Sequence, residues 1–126
     1  MSITMKELNS HNFPMTPEID ENLGILLNRI NLFRHVWGKD MYVTSGLRSA
    51  EEQARLIKAG RSTATKSLHL KGAAVDIFDH TCALYNFCKA NEQLLIDCQL
   101  WCEERQGPWQ HFQIFPPKSK KRWFNP

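Results

Sequence analysis

The chain has 126 residues, of which 42% are hydrophobic and 23% charged, which fits one soluble domain large enough to bury a core. A formal net charge of +3 is too weak to argue for a nucleic-acid partner, and no apolar run is long enough to span a membrane. The opening MSITMKELNS lacks the charged-then-apolar layout of a signal peptide, so synthesis in a cytoplasm without an export signal of its own is expected.

In chain order, Pro17 and the run EIDENLGILLNRINLFRHVWG predict a first helix. Proline and acidic residues suit its first turn. Leu23, Leu26, Leu27, Ile30 and Phe33 recur at three- and four-residue steps as one apolar stripe, and Gly38 stops it. MYVTSG is a short β-rich run. SAEEQARLIKAG predicts a second helix with Ser49 as N-cap, Glu52 as capping-box partner and Gly60 at its end. RSTATKS is polar and loop-like, AAVDIF is a buried strand, and HTCALYNFCKANEQLLIDC is helical with a break near Asn91. LWCEE and WQHFQIF are two strands joined by the turn-forming RQGP, and the rest, residues 116–126, is an irregular basic tail. Together they predict a single α+β domain over residues 1–126, with a small antiparallel sheet flanked by helices.

Lys118, Lys120, Lys121 and Arg122 cluster in the tail. They suit a solvated end or, more sharply, adhesion to an anionic polymer. Cys98 and Cys102 lie four apart, but no CxxC is present. Cys82, Cys88, Cys98 and Cys102 are therefore expected as small buried hydrophobes rather than as a metal site.

The segment SLHLKGAAVDI sets His69 and Asp76 seven positions apart around Gly72. On one straight strand their Cα atoms would lie about 23 Å apart, and on a helix about 10 Å apart along its axis. Two ligands of one metal ion each sit about 2 Å from it. The two residues meet only if the chain bends between them, and Gly72 supplies the backbone freedom. Without a bend they are a surface histidine in a turn and an aspartate ending a strand. Two ligands do not make a zinc site, so a third must come from elsewhere. His111, mid-strand in WQHFQIF, is the natural candidate. His80 is a weaker rival, His11 lies near the terminus, and His35 lies in a helix. Two histidines and one carboxylate would leave a coordination position open, as a catalytic zinc requires.

GRSTATKSLHLKGAAVDI resembles the S-x-H-x-x-G-x-A-x-D motif of the M15 zinc peptidases, the DD-peptidases and L-alanyl-D-glutamate endopeptidases that cut bacterial cell-wall peptide stems and include phage endolysins. VTSGLRSAEEQ resembles the family's preceding S-G-Y-R-S segment, and WQHFQ its closing W-x-H. The three segments follow the family's order across most of residues 42–114. The resemblance implies a hedgehog/DD-peptidase-like domain in which His69, Asp76 and His111 hold Zn2+. It implies that Arg48 stabilises the oxyanion or grips the substrate carbonyl, and that Ser67 hydrogen-bonds the substrate. From the residues alone, Arg48 also suits a capping or salt-bridge role beside Glu51 and Glu52, and Ser67 a plain loop position.

The family also needs a carboxylate base. Its frequent E-x-x-H is missing here, because Pro108 stands three before His111. Other members carry the acid in a Q-L-x-x-E-like run, which QLWCEE matches with Glu103. Facing residues of a hairpin share a side and neighbours alternate, so a one-residue shift would bring in Glu104 instead. The implied protein is a monomeric zinc metallopeptidase acting on peptidoglycan stem peptides, in phage lysis or on a virion, where zinc-bound water is deprotonated by Glu103. If neither acid reaches the water, the alternative is a non-catalytic zinc-binding virion module of the same fold. A metal-free wall-binding module would rest on the basic tail.

Overall fold

The computed structural model describes residues 2–60 and 67–125. Helix α1 (Met5–Leu8) is one turn, closed by a capping box between Thr4 and Glu7, and a single turn carries no periodicity by which to foresee it. Helix α2 (Pro17–Trp37) starts where Thr16 Oγ1 accepts from the Ile19 N–H and ends at Gly38, which is left-handed at φ +74°. Its expected stripe is the core seam: Leu23, Leu26, Ile30 and Phe33 are fully buried, and Leu27 packs against them. Strand β1 is Val43–Ser45 and helix α3 is Ala50–Lys58. Ser49 caps α3 as expected, but Glu52 does not close the box, because its carboxylate is held by Arg55 on the next turn.

A 3-10 turn (Leu68–Lys71) leads through Gly72 into β2 (Ala74–Phe78). Helices α4 (Ala83–Ala90) and α5 (Glu92–Asp97) follow, broken at Asn91 as predicted, with the Asn91 side-chain amide donating to the Phe87 carbonyl. Strands β3 (Trp101–Glu103) and β4 (Trp109–Gln113) form the predicted antiparallel pair.

The tail differs from expectation. Trp123–Phe124 form a fifth strand, β5, parallel to β3, so the tail is not wholly irregular. The sheet, ordered β1-β2-β4-β3-β5, is accordingly mixed rather than antiparallel. A two-residue strand is held by tertiary partners, and its local pattern is too short to announce it. The expected loop at 61–66 lies outside the described residues.

One face of the sheet carries Val75, Ile77, Cys102 and Phe112 into the core, where Phe112 packs on Phe33 of α2 at 5.2 Å between ring centroids. Period-two alternation then places Asp76, His111 and Glu103 on the opposite face. Cys88, Cys98 and Cys102 are buried and, like the half-buried Cys82, unbridged.

The turn that carries His69 is pinned from three sides. Ser67 Oγ accepts from the His69 N–H, the Ala73 N–H donates to the Leu68 carbonyl, and the buried Asn22 of α2 donates to the Lys71 carbonyl. Gly72 closes it at φ +70°, where a β-carbon would lie 2.8 Å from Leu23 Cγ and 3.1 Å from the Ile19 carbonyl oxygen. Gly72→Ala should therefore lose about 2–4 kcal/mol, from left-handed strain and core crowding together. Calorimetry should show a melting temperature lower by on the order of 10 °C. A melt matching the parent's would mean that the turn relaxes without cost.

Candidate metal centre

The polar face of the sheet aligns its residues by register. Asp76 pairs with Ser45 on β1 and with His111 on β4. The β3–β4 pairing of Cys102 with Phe112 carries Glu103, one step on, level with His111. The bent turn brings His69 over the same row. His69 Nε2 lies 3.3 Å and His111 Nδ1 2.8 Å from Asp76 Oδ1. One ligand atom from each residue falls within 4.8 Å of the others, and all three residues are buried. His11, His35 and His80 are exposed and do not join them.

Hydrogen-bond partners set the tautomers. His69 Nδ1 lies 2.9 Å from the Gly46 carbonyl, which can only accept, so that nitrogen carries the proton and Nε2 presents a lone pair. The Gln113 side-chain amide nitrogen donates to the Phe115 carbonyl, which leaves Gln113 Oε1 to accept from His111 Nε2 at 2.8 Å. His111 Nδ1 is then the inward nitrogen. Two imidazole nitrogens and a carboxylate oxygen thus converge on one point, an arrangement that suits a cation between them.

The titration tendencies follow this geometry. Burial lowers the His69 pKa despite the pull of Asp76, so this ring stays neutral. Burial also disfavours charge on His111, but its bond to Asp76 and the charges of Asp76 and Glu103 outweigh it, and its pKa rises. For Asp76, burial alone would raise the pKa. The two histidines overcome it and hold the carboxyl well below the usual carboxylate range. Two nitrogens and one oxygen also suit a divalent ion of the borderline-soft class, with room for a fourth ligand.

Arg48 lies against this group. Its Nη2 donates to Asp76 Oδ2 at 3.1 Å, its Nη1 to Gln53 Oε1 at 2.9 Å and its Nε to Ser45 Oγ at 2.8 Å, while its backbone N–H reaches the His69 carbonyl. Its side-chain partners are thus Asp76, Gln53 and Ser45, not the acidic pair Glu51 and Glu52 beside it in sequence. Among the described residues, three of its five guanidinium N–H bonds are engaged this way, which leaves two. Ser67 serves its own turn as an acceptor and keeps its O–H to donate.

The neighbouring acids part company. Glu103 is half-buried, and no hydrogen bond or ion pair reaches its carboxylate among the described residues. Burial and the Asp76 charge raise its pKa against the pull of His111 and Arg48. Gln110 donates to its backbone carbonyl and fixes the end of the strand. Glu104 points the other way and is taken up by the Tyr85 hydroxyl and the Lys89 ammonium of α4. Sequence reasoning overlooked Gln113, Gly46, Ser45 and Gln53 as supports. Only Gln113 carried a signal, two residues beyond His111 on the same strand face.

A family model described as Peptidase M15 matches residues 1–98. That stretch holds His69 and Asp76, whereas His111 and Glu103 lie beyond it and join the site through sheet register. No curated protein matches the chain. Among solved structures, the crystal structure of the L-Ala D-Glu endopeptidase ChiX from Serratia marcescens is similar, with 27% identity and a TM-score of 0.57. The match covers 86% of this chain and 95% of that one.

If Gln113 sets the His111 tautomer, Gln113→Leu should keep the fold and weaken divalent-metal affinity about 10- to 100-fold, as loss of a ligand's outer partner commonly does. Titration with Zn2+ or Co2+ would measure it, and parent-like affinity would remove Gln113 from the site.

Proposed function

The chain belongs to the M15 peptidase family, and on that premise we propose that it is a zinc-dependent endopeptidase of bacterial peptidoglycan stem peptides. The observation that carries this reading is the convergence of His69 Nε2, His111 Nδ1 and Asp76 Oδ1, with the Glu103 carboxylate on the same sheet face and unpaired among the described residues. The likeness to an L-Ala D-Glu endopeptidase favours cleavage within a stem over removal of its last residue.

His69, Asp76 and His111 would hold the zinc, which when bound supplies a Lewis acid for the carbonyl and lowers the pKa of water toward neutrality. Glu103 takes the proton of the attacking water and returns it to the leaving amine. Its raised pKa moves it toward the range in which a carboxyl does both. What supports Glu103 over Glu104 is register and availability, since Glu104 is already paired with Tyr85 and Lys89. Arg48 orients Asp76 and offers its two remaining N–H bonds to the developing oxyanion. Ser67 donates its hydroxyl proton to the substrate backbone.

Incubating purified peptidoglycan with the zinc-loaded protein should release fragments with new D-Glu amino termini, identified by mass spectrometry. Intact stems would end the proposal. Glu103→Ala should retain zinc and lose about a hundred- to ten-thousandfold in rate, while Glu104→Ala should stay near the parent. The reverse pattern would reassign the base.

Arg48→Ala should lose on the order of a hundred- to a thousandfold in turnover. It should also bind zinc more weakly, because Asp76 loses a partner. Turnover at the parent rate would leave Arg48 with a packing role alone.

A histidine must be neutral to bind zinc, and the His111 pKa is raised, so zinc affinity should begin to fall at a higher pH than it would for an ordinary histidine, and calorimetry should detect proton release on binding below that point. Affinity flat through that point would exclude His111 as a ligand.

A further inference from the structure

The row of site residues does not end at Glu103. Parallel pairing of β5 with β3 sets Phe124 level with Glu103, as Cys102 is with Trp123. The Cys102 N–H donates to the Arg122 carbonyl and the Glu104 N–H to the Phe124 carbonyl, at 2.9 and 2.8 Å.

Both residues before Phe124 are anchored on other elements. The Arg122 guanidinium lies 4.4 Å from the Trp101 ring centroid and donates to the Leu100 carbonyl. Trp123 turns to the helix side, edge-on to Tyr85 at 5.5 Å, with the Lys89 ammonium 4.0 Å over its indole. With Trp123 committed to α4, alternation forces Phe124 onto the face of the metal ligands. Its ring stands edge-on to His111, with centroids 6.2 Å apart and planes at 87°. It is only half-buried, and it stands beside Glu103 and His111.

We propose that β5 forms one wall of the substrate cleft, and that Phe124 packs against an aliphatic side chain of the peptide next to the scissile bond. The inference rests on the peptidase reading above. A phenyl ring has no donor or acceptor, so what it can offer a peptide at this place is apolar contact and exclusion of water. The anchoring of Trp123 and Arg122 is what a two-residue edge strand needs if it is to hold such a wall in place. Phe124 is thus a specificity residue, and the tail carrying it is part of the site.

The test uses the zinc-loaded full chain and a peptide with an L-Ala–D-Glu bond. Binding is titrated in a Glu103→Gln background, with and without Phe124→Ala, and KM and kcat are measured with Glu103 intact. Phe124→Ala should raise both Kd and KM on the order of tenfold, the scale of losing part of a buried phenyl contact. The rise in KM should exceed the fall in kcat, zinc content and melting temperature should match the parent, and Phe124→Leu should recover most of the affinity. Kd and KM within about twofold of the parent would overturn the proposal. So would an affinity loss that tracks lost zinc or a lowered melt, which would make Phe124 a packing residue. Failure of the protein with Phe124 intact to bind or cleave the peptide would instead reject the peptidase reading, and this inference with it.

Discussion

Asp76 lies at the middle of the sheet with its two oxygens divided between partners: Oδ1 faces His69 and His111, and Oδ2 accepts from Arg48. A carboxylate this buried would cost several kcal/mol if left alone. It is tolerated because the Arg48 guanidinium and two histidine rings surround it. The dependence is mutual, since removing Asp76 would strand the buried Arg48 charge and leave two inward imidazole nitrogens with no anion to share. Three chain segments far apart in sequence are thereby tied to one side chain.

The surrounding elements serve this arrangement. The sheet separates its faces by alternation, so the same strands that bury Val75, Ile77 and Phe112 against α2 carry Asp76 and His111 on the far side. His69 is not on the sheet. It reaches Asp76 because a capped 3-10 turn and a left-handed glycine reverse the chain before β2 begins. The outer partners Gly46 and Gln113 then fix which nitrogen of each ring points inward. These outer bonds orient the inward-facing atoms of the group, which would limit the ordering that binding of an ion would impose.

The adjacent acids Glu103 and Glu104 show how strand geometry assigns chemistry. They are the same residue type, one position apart, with opposite tendencies. Burial and the nearby Asp76 charge raise the Glu103 pKa, whereas the Lys89 and Tyr85 bonds lower that of Glu104. One is a carboxyl available to exchange a proton and the other a fixed anion clamping α4 to the sheet. Lys89, which binds Glu104, also lies over Trp123, so the same helix side chain helps to anchor the strand that ends the site row.

Much of this was legible in the sequence. Periodicity located α2, because its burial pattern repeats within it, and the turn-forming RQGP between two strand runs located the β3–β4 hairpin. The His69–Gly72–Asp76 spacing required a bend, because no straight element brings those residues together, and the motif order pointed to the family that the comparisons bear out. Other features left no local signal. The choice between Glu103 and Glu104 depends on hairpin register, which pairs residues across two strands. Arg48 takes Asp76, Ser45 and Gln53 as side-chain partners, two of them outside the neighbouring helix, because the β1–β2 pairing sets Ser45 and Asp76 side by side within its reach. The strand at Trp123–Phe124 exists because β3, α4 and Trp101 supply its hydrogen bonds and ring contacts. Sequence by itself determined which residues have the chemistry and where the longer elements run, since those depend on side-chain type and short spacing. Tertiary structure alone decided which groups meet and with which partners, since that depends on contacts between residues distant along the chain.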